Sequence, residues 1–189
     1  MRILYLLGIA LITFLLGNSF IVGPSSKKKE VQKAVNTPTD ADWEKLHFMI
    51  ERSSVETVKS NFELFITNNL LKSNALNCKD GKYFGITPAD DYGYLHLVFL
   101  EVSKGKIVAI HYDELKSNGK NKRTDINYNQ EMLKSGTSPS IAYPGYEDQL
   151  IKKQDYMKVD AVTGATYSLY RFRIAVAKAL EKANSKSTD

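Results

Sequence analysis

Two runs, residues 94–102 and 107–112, are dense in aromatic and β-branched side chains and are separated by Lys104-Gly105. Runs of this kind joined across a glycine read as a hairpin, because tight turns between paired strands require positive φ angles. Both runs are apolar on both faces, which predicts a sheet covered on both sides. A shorter strand is expected at residues 82–86, ended by Pro88 and the polar Ala89-Asp90-Asp91. Helical spacing brackets this sheet. Before it, Asp40 is a plausible N-cap for Trp43, Leu46 and Ile50. Ser53-Ser54 interrupts that run, and Val55, Val58, Phe62, Phe65, Ile66 and Leu70 form a second one. After it come short helices at residues 125–134 and 145–154. A longer helix at residues 167–182 carries Leu169, Phe172, Val176 and Leu180 along one stripe. The pattern predicts an α+β domain built on an antiparallel sheet with packed helices, preceded by a helical extension and an apolar leader.

The expected boundaries follow these changes of pattern. Residues 1–23 are a signal peptide or membrane anchor, 24–39 a lysine- and proline-containing linker, 40–76 the helical extension, 77–184 the main domain and 185–189 a tail. Arg2 precedes the uncharged apolar run at residues 3–16, placed where export signals sit. Gly17-Asn18-Ser19 offers small residues for cleavage, whereas residues 3–23 are long enough to remain as an anchor. Lys27, Lys28, Lys29 and Lys33 after the run argue against an outward-facing uncleaved anchor. No cysteine ends the run, so lipid attachment there is not expected. The expected location is extracytoplasmic, membrane-associated or secreted.

Composition removes several function classes. With 43% hydrophobic and 25% charged residues the chain is globular rather than disordered. The net charge of +5 comes from scattered lysines, not from a basic stripe, so no nucleic-acid partner is expected. Lys116, Lys120, Lys122 and Arg123 read as a solvated turn. The lone Cys78 excludes an intramolecular disulfide and reads as a structural thiol. His47, His96 and His111 show no spacing that suggests a metal site.

The segment Asp160-Ala161-Val162-Thr163-Gly164-Ala165-Thr166 stands directly before the last helix. Gly164 and Ala165 leave the backbone uncrowded, so a second large molecule has room to approach Thr166. A threonine at a helix start is an ordinary cap, but free amides and the helix dipole there also favour a phosphate. The string Asp160-x-x-Thr163-Gly164-Ala165-Thr166 resembles the flavinylation motif of the FMN-binding domain family. That family includes flavin-bearing subunits of sodium-pumping NADH:quinone oxidoreductases and Rnf complexes. Asp80-Gly81-Lys82-Tyr83 and Lys104-Gly105-Lys106-Ile107-Val108 resemble its opening strand and central hairpin. Ser135-Gly136-Thr137-Ser138-Pro139 and residues 159–166 are similar to extracellular FMN-binding proteins of bacteria that export electrons. The resemblance runs from about residue 80 to 183.

This resemblance implies covalent FMN on Thr166 through a phosphoester, installed by an exported flavin transferase that uses FAD. It implies clearance from Gly164 and Ala165, and recognition or hydrogen bonding from Asp160 and Thr163. It further implies an electron carrier between a membrane redox donor and an extracytoplasmic acceptor, not an enzyme with its own substrate. Tyr83, Tyr94, Tyr143, Tyr146 and Tyr167 are candidates to stack on the flavin ring. Other readings are a non-redox surface binding or adhesion module and a flavin-dependent reductase of a small substrate. No Rossmann glycine fingerprint for a nicotinamide is present.

Overall fold

The computed structural model describes residues 37–185. The expected leader and most of the expected linker lie outside the described residues. No described helix is long and apolar enough to cross a membrane.

Three antiparallel strands in the order β1-β2-β3 form the sheet: β1 Gly81–Ile86, β2 Tyr94–Ser103 and β3 Lys106–Lys116. Lys104 and Gly105, with φ of 51° and 70°, connect β2 to β3 in two residues, the conformation a type I′ turn demands. The Asp80 carboxylate steadies this turn by accepting from the Lys104 amide at 2.7 Å. A bulge interrupts the β2–β3 register: Val102 faces Ile107, but Glu101 faces Ala109, leaving Val108 extra. It changes which side chains of β3 point inward, so that Ile107 before it and Tyr112 and Glu114 after it are all buried.

Helices cover one face of the sheet. In chain order they are α1 Asp40–Arg52, α2 Val55–Asn68, α3 Ile126–Leu133, α4 Pro139–Lys153 and α5 Thr166–Ser185, with a single 3-10 turn at Tyr156–Lys158. α5 packs on β1 and β2, α4 packs on β3, and α1 and α2 pack on α5. The expectation of a sheet covered on both sides is not met among the described residues. Phe99 is 57% and Val108 51% exposed on the far face, where the Phe84 and Phe99 rings contact each other at 4.6 Å. The two longest core helices, α4 and α5, use the same side of a small sheet, so the apolar far side pairs with itself. Gly85 permits the close approach of α5, since a Cβ there would stand 1.8 Å from the Ala175 carbonyl oxygen.

Several local expectations shift. The cap of α1 is Thr39, not Asp40: its hydroxyl and the Asp42 carboxylate form a reciprocal capping box. α4 begins at Pro139, six residues before the expected start, and runs through Pro144. A proline at the first helical position forfeits no bond, and flanking contacts carry the helix past the second one. One core holds Trp43, Leu46 and Phe62 of the helical extension together with Val98, Tyr146 and Phe172. The extension therefore shares the interior of the main domain.

Candidate functional site

The segment before α5 is held from two sides. Gln149 on α4 accepts from the Asp160 amide at 2.8 Å, and Arg173 on α5 donates to the Val159 carbonyl at 2.8 Å. The Asp160 side chain is exposed and paired to Lys153 at 2.5 Å, which lowers its carboxyl below the ordinary value. Next, the Ala165 amide donates to the Val162 carbonyl at 2.9 Å, closing a turn over Thr163 and Gly164. Gly164 has φ +81°, the value a type II turn places at its third residue. A Cβ on Gly164 would lie 2.6 Å from the Ser135 carbonyl oxygen. The glycine thus serves the packing of this turn against the loop before α4, in addition to any clearance it offers a ligand. Thr163 is exposed at the turn's outer edge.

Thr166 is the first residue of α5 and is half-buried. The Ala165 carbonyl accepts the first helical bond, from Leu169, and also the Tyr146 hydroxyl at 2.6 Å. Ala165 therefore occupies the cap position and has no side-chain oxygen to offer. No hydrogen bond reaches the amides of Thr166, Tyr167 or Ser168 among the described residues. An α-helix start left open in this way presents donors and the positive end of its dipole to an anion.

Beside this helix start lies a cavity of about 300 Å³, within the range of small-molecule sites. Gly164, Ala165 and Tyr167 line one side, and Thr137, Ser138 and Tyr143 the other. Lys122, Arg171 and Glu51 form its inner end. The Thr137 hydroxyl is buried without a partner, as a group awaiting a ligand would be. Asn129 keeps the far wall in place, donating to the Lys122 and Asp125 carbonyls and accepting from the Ser140 amide.

The cationic end corrects the sequence reading of a solvated turn. Lys120 is exposed, but Lys122 is 4% exposed and lies 2.5 Å from Glu114 and 3.6 Å from Asp90. Arg123 donates to the Tyr112 carbonyl and pairs with Glu147, tying α4 to β3. Arg171 chelates the Glu51 carboxylate at 2.6 and 2.7 Å. Burial alone would raise the Glu114 carboxyl, but His96, Lys122 and Arg171 outweigh it and hold it well below the ordinary value.

Of the five tyrosines expected to meet a ring, Tyr143 and Tyr167 line the cavity. Tyr146 is buried behind it and anchors Ala165, Tyr83 bonds to the Lys79 carbonyl, and Tyr94 is buried under Lys122. Tyr92 and Tyr128 also line the cavity, and nothing in the sequence around them marks that position. The histidine reading changes as well. His47 and His96 have no telling spacing in the chain, yet their rings lie 5.2 Å apart. His96 also meets Asp90 and Glu114, and His47 meets Glu51, in groups compact enough for a metal ion. Lys122 and Arg171, however, already engage Glu114 and Glu51. Cys78 is buried, and its thiol is raised by that burial.

An open helix start beside a cation-ended cavity can receive a phosphorylated ligand. Residues 96–181 match the FMN-binding domain family, and this part of the chain belongs to it. FMN is its cofactor, and the chain is a flavin-binding protein. The chain is 34% identical over 85 residues to the 15 kDa lipoprotein of Treponema pallidum (strain Nichols). That match covers 44% of this chain and 60% of the relative's length. A crystal structure of the CPE2226 protein from Clostridium perfringens is similar at 37% identity and a TM-score of 0.55, over 59% of this chain and 93% of that one. The residues present fit such a cofactor: the open amides of α5 could receive its phosphate, and the Thr137 hydroxyl, Lys122 and Arg171 its polar edge.

Proposed function

We propose that the protein carries FMN covalently, through a phosphoester on Thr166, and serves as an extracytoplasmic electron carrier. The observation that carries this reading is the position of Thr166: it opens an uncapped helix, and Ala165 and Tyr167 on either side of it line the cavity. Attachment would join Thr166 Oγ1 to the FMN phosphorus of FAD and break the pyrophosphate bond, with AMP leaving and the hydroxyl proton passing to a base of the flavin transferase. The free amides of α5 would then hold the phosphate a second time. Bound FMN supplies one- and two-electron chemistry. Lys122 and Arg171, which line the cavity, would favour the reduced form of a ring seated there, and Tyr143 and Tyr167 would offer aromatic walls.

The location outside the cytoplasm rests on the apolar run at residues 3–16 and on similarity to a lipoprotein. Electrons would come from a membrane redox donor and pass to an extracytoplasmic acceptor, so the ring needs an open edge rather than a closed substrate pocket. The deciding experiment is intact mass of the full chain co-expressed with an exported flavin transferase. A gain equal to FMN less water is expected, and Thr166→Val should abolish it, since valine keeps the shape but lacks the oxygen. Covalent flavin retained on the valine variant would end the assignment.

A further inference from the structure

Behind the cationic end of the cavity lies a closed set of charged groups that attachment of a cofactor does not itself require. His96 on β2 is fully buried, and neither ring nitrogen makes a hydrogen bond. Its Nδ1 stands 3.5 Å from Glu114 Oε1 and its Nε2 3.9 Å from Asp90 Oδ2. His47 on α1 tilts its ring 37° to that of His96, and its Nε2 is buried with no partner.

Formal charge defines the resting state of this set. Around the two rings stand Glu51 from α1, Asp90 from the β1–β2 connection, Glu114 and Tyr112 from β3, Lys122 from the β3–α3 connection, Tyr143 from α4 and Arg171 from α5. The carboxylates of Glu51, Asp90 and Glu114 exceed Lys122 and Arg171 by one formal charge. Burial, then His96 and Arg171, push His47 down to about 4 against the opposite pull of Glu51 and Asp90. His47 is thus a vacant proton site, kept vacant partly by the positive charge beside it.

We propose that His47 Nε2 takes up one proton from solvent when negative charge is placed in the cavity over Lys122 and Arg171, coupling reduction of a flavin ring seated there to protonation of the protein. The inference rests on the flavin reading above. Reduction by an external reductant, dithionite in the test, delivers two electrons and one proton to the ring, which keeps one negative charge at its pyrimidine edge. The second proton of the couple goes to His47 instead, and no bond of the protein breaks. Lys122 and Arg171 transmit the change because they touch both the cavity and the carboxylates that face the histidines.

The test uses the full chain in three states: unflavinylated, flavinylated and oxidised, and flavinylated and reduced with dithionite. Side-chain 15N NMR titration of His47 is expected to show its midpoint, about 4 before reduction, rising by about three pH units on reduction. A rise too small to bring the midpoint to about pH 6 overturns the proposal. The flavin midpoint potential between about pH 5 and 6 should vary with the slope of nearly two protons per two electrons, and His47→Gln should nearly halve that slope. Equal slopes in the two proteins also overturn it. If the histidine signals are the same with and without attached flavin, the ring is not in this cavity, and the seating fails rather than the coupling alone. Saturable zinc binding by the unflavinylated chain at micromolar concentration, lost in His47→Gln, would make this a metal centre and overturn the proton assignment.

Discussion

Gly164 and Ser135, 29 positions apart in the chain, meet so closely that a Cβ on the glycine would stand 2.6 Å from the serine's carbonyl oxygen. The contact seats the turn before Thr166 on the loop that leads into α4, whose Thr137 and Ser138 form a wall of the cavity. Gly164→Ala is therefore expected to act on the fold as well as on attachment. Overpacking and a positive φ together should cost about 1–3 kcal/mol. Covalent flavin should fall in parallel, because Thr166 moves with the turn. Thermal unfolding and intact mass measured on the same preparation check this. Normal stability with flavinylation lost would instead assign the glycine to clearance for the transferase alone.

Gly85 makes a second test of close packing. Its missing Cβ admits the Ala175 carbonyl, so Gly85→Ala must push β1 and α5 apart. A loss of about 3 kcal/mol is expected, at the upper end for an overpacked core. Urea unfolding of the unflavinylated protein measures it, and a loss below about 0.5 kcal/mol would contradict the packing described.

Lys122 should matter through Glu114. Lys122→Met removes a cation 2.5 Å from a fully buried carboxylate, and stripping one partner from a buried pair costs about 3–5 kcal/mol. His96, Tyr112 and Arg171 still face Glu114, so the lower figure is expected. Glu114→Gln in the same chain should restore part of the loss, and the double-mutant cycle reads the coupling. Additive effects would mean that the pair is not coupled. In flavinylated protein Lys122→Met should also lower the midpoint potential, by removing positive charge from the ring's edge.

Acid should destabilise the protein through His47. Its folded value of about 4 lies below the unfolded value of 6.5, so the unfolded chain binds the proton first as pH falls. The stability this group contributes is complete above about pH 6.5, declines through the interval and is gone below about pH 4. A shift of this size corresponds to about 3 kcal/mol. His47→Gln should flatten that part of the profile of the unflavinylated protein. Denaturant unfolding at half-unit pH steps checks it, and an unchanged profile would remove His47 as the cause.

The local elements were legible because their signals are local. Lys104-Gly105 between two apolar runs specified the hairpin, since only that dipeptide geometry closes it in two residues. The residues before α5 were legible as a turn of small residues leading into a helix, which the structure bears out at Gly164 and Thr166. What the chain by itself could not disclose lies across distance. The bulge at Val108 changes the inward parity of β3 and turns Glu114 into the interior. Lys122 then follows it inside, although its neighbours Lys120 and Arg123 suggest a solvated turn. His47 and His96, separated by 49 positions, become neighbours only because α1 packs on α5 and approaches the same face of the sheet. The sequence by itself pointed to the family and to the segment proposed for attachment, because that motif belongs to consecutive residues. Tertiary packing decided what charge surrounds the cavity beside it, because a buried charge depends on partners that the chain brings together only on folding.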